Sequence, residues 1–419
     1  MKKTLERLPA LFARRYPRGF TTADVRYPVL NPDSLAEINY TSGTTGFSKG
    51  VMLTLNNLCG NVVFGKRMQI HFRTSRCLAF LPLAHAYGCA FDMLVPLAEG
   101  THITVFGKTP TPRLLLKALE EVKPNLIICV PLILEKIYKK QILPAISRPV
   151  VKRMLQIPIL NRRIHAKIRN NLTKALGDNF REVIVGGAAL NHEVEEFLHK
   201  IKFRFTVGYG MTECGPLISY TPFFDFIPGS CGRALPGLMT ACIKNQEDMP
   251  QQTAVINGET LPIGEICVKG ENVMKGYYKN PDATAAAIDE EGWLHTGDMG
   301  CVDSTQTIYI RGRYKTMILG PSGQNIYPEA IESKLNNMPF VNESLVVERG
   351  SKLVALVHPD FEAMDREGID STGLQTIMQD VTARLNKELA PFEQISHIQL
   401  MPKEFEKTPK KSIKRYLYK

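Results

Sequence analysis

The chain has 419 residues, of which 44% are hydrophobic and 22% charged; this excludes a disordered chain and implies a globular protein of roughly two to four domains. Lys plus Arg number 52 against 41 Asp plus Glu, a net charge of +11. That excess suits anionic small molecules, an anionic membrane surface or simply a basic exterior. Nine cysteines stand singly, with no CxxC pair and several inside apolar runs, so they read as small hydrophobes in a reducing cytoplasm and not as a zinc or disulfide framework.

The opening MKKTLERLPALFARRYPRG lacks the apolar run of a secretion signal. No stretch approaches the ~20 apolar residues of a membrane span. The expectation is a soluble cytoplasmic protein, at most peripheral at the inner face of a membrane.

From Leu35 to about Gly210, short apolar runs alternate with amphipathic ones. Predicted strands are LAEINY before Thr41, RCLAFLPL ending at Leu83, HITVF ending at Phe106, NLIICV ending at Val130, REVIV ending at Val185 and FRFTV ending at Val207. Predicted helices include PRLLLKALEEV from Pro112 and NHEVEEFLHKI, for which Asn191 is the N-cap. Such alternation implies an α/β architecture with parallel strands, whose ligands bind in loops past the strands' carboxyl ends. From about Gly229, the segments GRALPGLM, LPIGEICVKG and VMKGYY read as a β-rich subdomain. After Arg313 come a helix opening at Pro328, strands SLVVE and KLVALV, a helix near 373–389 and a basic tail.

The strongest chemical signal is YTSGTTGFSKG, Tyr40 to Gly50, directly after the first predicted strand. Gly43, Gly46 and Gly50 free the backbone to turn its N–H groups toward one point, the hydroxyls of Thr41, Ser42, Thr44 and Thr45 add donors, and Lys49 adds a point charge. Together these form a phosphate cradle. It is not a Walker loop, because Lys49 is followed by Gly50 and not by Ser or Thr. Four further segments carry polar or glycine-rich patterns: VGGAAL (Val185 to Leu190), VGYGMTECGP (Val207 to Pro216), GWLHTGDMG (Gly292 to Gly300) and IRGRYKTMILGPSGQNIYPEAIE (Ile310 to Glu332). Read alone, Tyr209 is a core aromatic or, between Gly208 and Gly210, an exposed platform. Glu213 is a helix-start acid or a magnesium ligand, Asp298 a turn cap or a hydroxyl acceptor, and Lys315 a surface charge.

These five ordered motifs resemble those of the adenylate-forming superfamily, and among its members the long-chain fatty acid–CoA ligases. The resemblance implies the adenylate-forming fold: a large N-terminal domain over 1–312, with parallel α/β sheets plus a β-rich subdomain, then a small α+β domain over 313–419. It implies phosphate binding by Thr41, Ser42, Gly43, Thr44, Thr45, Gly46 and Lys49, and an adenine pocket lined by Gly187, Ala188, Ala189, Gly210 and Met211, with Tyr209 stacking on the base. Thr212 then touches the α-phosphate, Glu213 binds Mg²⁺, Asp298 and Arg313 hold the ribose, and Lys315 is the hinge. LPLAHAYG (Leu81 to Gly88) resembles an acyl-channel motif, which places His85, Tyr87 and Gly208 at the acyl pocket. The implied partners are a fatty acid, ATP and CoA, with Mg²⁺ and without nucleic acid. The implied reaction forms acyl-AMP and then acyl-CoA.

Several departures bear on this. Leu132 and Leu55 stand where long-chain relatives often carry Arg and His, which weakens the assignment of the acyl substrate. Only 39 residues precede Tyr40, fewer than the resemblance implies, so part of the N-terminal subdomain is expected to be missing. EKTPKKSIKRYLY (Glu406 to Tyr418) resembles the segment that delivers the adenylation lysine, but that position holds Ser412, with Lys410, Lys411 and Lys414 as neighbours able to substitute after a small shift. These departures keep two alternatives open: a nucleotide-binding pseudoenzyme, and transfer of the acyl group to a carrier-protein thiol.

Overall fold

The computed structural model describes residues 2–26, 28–42, 48–107, 111–245, 251–320, 324–407 and 413–418. The chain forms two compact units, Met1–Ser34 and Leu35–Lys419. In the first, the helix Lys2–Arg15 leads into a trio of rings, with Phe12, Tyr16 and Phe20 centroids 4.9 to 5.7 Å apart.

The second unit begins with a hairpin of β1 (Leu35–Ser42) and β2 (Ser48–Thr54), paired antiparallel with Thr41 opposite Lys49. The first predicted strand is therefore not part of a parallel sheet. A parallel return needs a crossover of a dozen or more residues, and only positions 43–47 separate the two strands. β3 (Arg76–Ala79) and β4 (His102–Val105) pair in parallel, as do β5 (Ile127–Cys129), β6 (Val183–Val185) and β7 (Phe205–Val207). β3 stops four residues short of Leu83 because the Leu81 N–H donates to the buried Asp92 carboxylate at 3.3 Å, and Pro82 has no N–H to continue the ladder. The helix Pro112–Val122 starts as expected, and Asn191 Oδ1 accepts from the Glu193 and Val194 N–H groups at 3.1 and 3.3 Å to cap the helix His192–Lys200.

The β-rich part follows. β8 (Tyr209–Gly210), β9 (Leu217–Tyr220) and β10 (Arg233–Ala234) form a small antiparallel sheet. In the next sheet β11 (Met239–Lys244) and β12 (Gln252–Ile256) both pair with β13 (Glu259–Gly270). β14 (Gly276–Tyr277) returns to the edge of β2, and β15 (Leu294–Val302) bridges β13 to β16 (Ile308–Arg313). A hairpin of β17 (Ile318–Leu319) and β18 (Asn325–Ile326) precedes the helix Pro328–Leu335. The last sheet joins β19 (Val341–Arg349), β20 (Lys352–Pro359) and β21 (Ile395–Leu400), with the helix Ser371–Lys387 packed on it through Leu374, Met378, Val381 and Leu385. The architecture is thus mixed α/β, a large N-terminal domain followed by a smaller α+β C-terminal one. The C-terminal part touches the rest through Asn191, whose Nδ2 donates to the Ser333 carbonyl at 2.8 Å, and through Lys139, whose ammonium donates to the Asn336 carbonyl at 3.2 Å.

Candidate functional site

β5, β6 and β7 end in register, with Cys129 beside Val185 and Val185 beside Val207. The segments that follow β6 and β7 therefore leave the sheet side by side, at the edge where α/β sheets bind ligands. After β6, Gly187, Ala188 and Ala189 are exposed. Gly187 has φ +85°, a left-handed conformation that glycine adopts without strain. Tyr87 packs against this strand end: its hydroxyl donates to the Ile184 carbonyl at 3.4 Å, and a Cβ on Gly186 would lie 3.1 Å from its ring. The preceding His85, half-buried, begins the short helix Ala86–Gly88, and Asn39 on β1 donates to the Ala84 carbonyl at 3.0 Å. Gly208, by contrast, would meet only ordinary contacts if given a side chain.

After β7 the chain passes through Tyr209 and Gly210 into a 3-10 turn, Thr212–Cys214. Tyr209 is buried, not exposed as its flanking glycines suggest. The glycine after it serves close approach instead, since a Cβ on Gly210 would lie 2.2 Å from the Pro216 carbonyl oxygen. The Tyr209 hydroxyl donates to Asp298 Oδ2 at 2.7 Å. Asp298 lies on β15 directly opposite Arg313 on β16, and Arg313 Nε sits 3.2 Å from Asp298 Oδ1. Burial raises the Asp298 pKa above the usual carboxylate range, while Arg313 and the Tyr209 hydroxyl pull it back. Burial and the nearby carboxylate also hold the Tyr209 phenol protonated, as a donor.

Glu213 anchors a second group. Its carbonyl accepts from the Met274 N–H at 2.8 Å, which draws β14 alongside. Tyr277 on β14 donates its hydroxyl to Glu213 Oε1 at 2.9 Å. Burial and the Glu213 charge push the Tyr277 phenol up, so it too stays protonated. Lys49 on β2 places its ammonium 4.6 Å from the centroid of the Tyr277 ring. Among the described residues, no hydrogen bond reaches Glu213 Oε2. A buried carboxylate oriented through one oxygen is the kind of hard donor that Mg²⁺ accepts alongside substrate phosphates, so the residues present fit that ion.

Two groups thus form, Tyr209–Asp298–Arg313 and Lys49–Tyr277–Glu213, joined by the run from Tyr209 through Met211 and Thr212 to Glu213. Thr41 lies opposite Lys49 and Ser42 ends β1. Gly43, Thr44, Thr45 and Gly46 lie outside the described residues, as do Lys410, Lys411 and Ser412. Lys414, the remaining neighbour, pairs with Glu406 at 3.3 Å. Lys315 is exposed in the turn Tyr314–Thr316 just after β16.

Sequence reasoning passed over Tyr277, which stood only as part of a strand pattern. It also passed over Glu265, which braces the turn before Asp298: Oε1 accepts from the Gly297 N–H at 3.0 Å and Oε2 lies 2.8 Å from His295 Nδ1. Glu265, Cys267 and His295 bring one donor atom each within 4.8 Å of one another. The two nitrogens of His295 already face Glu265 and, at 3.4 Å, Asp289, so this cluster is a hydrogen-bonded brace and not an open ligand set.

The AMP-binding enzyme family model matches residues 4–278, and the AMP-binding enzyme C-terminal domain model matches residues 316–418. A 4-coumarate–CoA ligase of Pinus taeda is 32% identical over 358 residues, covering 81% of this chain and 59% of that protein. Long chain acyl-CoA synthetase 7 of Arabidopsis thaliana, a peroxisomal protein, is 31% identical over 414 residues, covering 90% of this chain and 57% of its own length. The chain therefore spans less than two thirds of either ligase. The crystal structure of ATP-bound MatB from Rhodopseudomonas palustris is similar with a TM-score of 0.69 at 26% identity, over 93% of this chain and 68% of that one.

Proposed function

Because the chain belongs to the AMP-binding enzyme family, we propose that it activates a carboxylic acid with ATP, forming an acyl-adenylate and pyrophosphate, and then passes the acyl group to the thiol of CoA. The observation that supports this reading is the pair of side-chain groups strung on one segment, Tyr209–Asp298–Arg313 and Lys49–Tyr277–Glu213. In the first, the Asp298 carboxylate, oriented by Tyr209 and Arg313, accepts hydrogen bonds from the ribose. In the second, Lys49 and the Thr212 hydroxyl meet the phosphates, and Glu213 is the residue that would hold Mg²⁺. A bound Mg²⁺ supplies charge neutralisation at the phosphate oxygens. Donors already aimed at the developing charge need no rearrangement during reaction, which is where such sites gain most of their rate. The small domain is taken to begin at Arg313 and to pivot at Lys315, exposed immediately past β16.

For the acid, the reading is a fatty acid of some length, entering beside His85 and Tyr87 toward Gly208. Relatives of both kinds, fatty-acyl and 4-coumarate ligases, stand at comparable identity, so the test must separate them. Pyrophosphate release is measured with linear acids from acetate to palmitate and with 4-coumarate. Each buried CH₂ adds about 0.8 kcal/mol, so apparent affinity should climb steeply with chain length until the channel is full. A flat series, or preference for 4-coumarate, removes the fatty-acid reading while leaving adenylation intact. ATP binding without pyrophosphate release for any acid favours the pseudoenzyme. Thioester formation on a holo-carrier protein but not on CoA favours the carrier alternative.

A further inference from the structure

The chain's charge excess has a definite address. Between positions 136 and 177 there are eleven Lys and Arg and no Asp or Glu. The rest of the chain then holds 41 Lys plus Arg, which balances its 41 Asp plus Glu. This segment alone carries +11, while elsewhere basic stretches such as the tail 403–419 are offset by acidic ones.

After the helical turns Tyr138–Ile142 and Leu143–Ile146, most of the segment folds as two successive helices, Pro149–Leu155 and Pro158–Ala175. The longer one buries Leu172 and lays Ile168 against the core around β5 to β7. Its outer face carries Ile159, Arg163 and Lys167, spaced by four residues and so stacked on one side. Arg148, Lys152, Arg153, Arg162, Arg163 and Lys167 are all exposed, and among the described residues none of them forms an ion pair. Between these cations stand three aliphatic side chains facing water: Val150 at 69% exposure, Ile157 at 50% and Ile159 at 67%. They cluster where one helix begins and where the next takes over, at Arg148–Pro149–Val150 and Ile157–Pro158–Ile159.

We propose that this face docks the protein on an anionic phospholipid bilayer, with the basic residues meeting headgroup phosphates and Val150, Ile157 and Ile159 entering the interfacial layer. Charge complementarity selects an anionic partner. The aliphatic side chains select a bilayer over a soluble polyanion, because apolar residues set among Lys and Arg gain from an interface with both a charged and a greasy layer. No helix among the described residues is long and apolar enough to cross a membrane, so the contact is a surface one. It does not depend on the reaction proposed above.

The test is co-sedimentation of the full chain with vesicles of phosphatidylcholine alone and of phosphatidylcholine with about one third phosphatidylglycerol. Binding to the anionic vesicles only, weakened by salt, is expected. A basic residue at such a surface contributes roughly fivefold in partitioning, so Arg162→Ala/Arg163→Ala/Lys167→Ala should lower it about 100-fold. Ile157→Ser/Ile159→Ser keeps the charges and places a good capping residue at 157; it should retain part of the low-salt binding and lose what survives at high salt. Circular dichroism confirms that both variants keep the fold, since every substituted side chain is exposed. Equal binding of the wild type to neutral and anionic vesicles, or wild-type binding by the charge variant, overturns the proposal. So does capture of an acidic carrier protein or a DNA duplex through the same residues with vesicles left unbound.

Discussion

The most informative single perturbation is Tyr277→Phe. The hydroxyl donates to Glu213 Oε1 at 2.9 Å within a buried site, and the ring carries the Lys49 ammonium 4.6 Å from its centroid. Phe keeps the ring and deletes only the donor. A hydrogen bond to a charged group is worth about 1.5–3 kcal/mol, or roughly ten- to a hundredfold in binding. Part of that loss falls on folding, because the carboxylate must find water or another donor in the free protein. The share that reaches the metal is then about tenfold. The assay is pyrophosphate release against Mg²⁺ concentration at saturating ATP and acid. The Phe variant should need about ten times more Mg²⁺ for half-maximal rate and approach the wild-type rate when saturated. Tyr277→Leu, which also removes the cation–π contact of about 0.5–2 kcal/mol, should in addition raise the KM for ATP. An unchanged Mg²⁺ requirement in Tyr277→Phe, in a protein where Glu213→Gln is inactive, would refute the claim that Tyr277 orients the metal carboxylate.

Other outcomes follow from buried charges and from the tail. Arg415 grips both oxygens of the buried Glu332 at 2.8 Å, so Arg415→Met should destabilise by about 3–5 kcal/mol in urea unfolding; a loss under 1 kcal/mol would show that the pair is not anchoring the C-terminus. Burial pushes Asp92 up to about 7, so the native state keeps a proton that the unfolded chain releases near pH 4. This group's contribution therefore falls as pH rises from about 4 to 7 and levels off above. Asp92→Asn should gain on the wild type across that window, and parallel pH–stability curves would contradict it. In the tail, Lys411→Ala should abolish pyrophosphate release while Ser412→Lys changes little. The reverse, a Ser412→Lys gain of up to ~100-fold with Lys411→Ala silent, would assign the missing charge to position 412.

Much of the site's frame was legible because it follows from local chemistry. A glycine-rich run past a strand end, an Asn before a helix and a Pro in a first turn each act within a few residues. What escaped depends on distant pairing. Tyr277 meets Glu213 across 64 positions, and nothing in VMKGYY announces a partner so far back. The glycines flanking Tyr209 were legible as glycines, but not the purpose of Gly210, which is to admit the Pro216 carbonyl. The helices over 149–175 were missed because their outward faces are basic with scattered aliphatics, which blurs an apolar stripe. Their start signals, Pro149 and Pro158 in first turns, are of the same kind as Pro328.

The distance between the two side-chain groups carries its own constraint. Tyr209 and Glu213 are four residues apart on one strand-and-turn segment, and an extended chain advances at most about 3.6 Å per residue. The Tyr209 and Glu213 backbones are therefore held no more than ~14 Å apart. Gly210 makes this spacing stiff, because the segment is pinned against Pro216 too closely for any Cβ, and the Met211 N–H donates to the same Pro216 carbonyl at 2.9 Å. Asp298 and Tyr277 reach the two ends from different sheets, so each end is fixed independently of the other. Under the proposed roles, a ligand that satisfies both carries hydroxyls for Asp298 and anionic oxygens within that reach. On the proposed function, a free sugar or a free pyrophosphate should therefore bind more weakly than a nucleoside triphosphate, which can reach both groups.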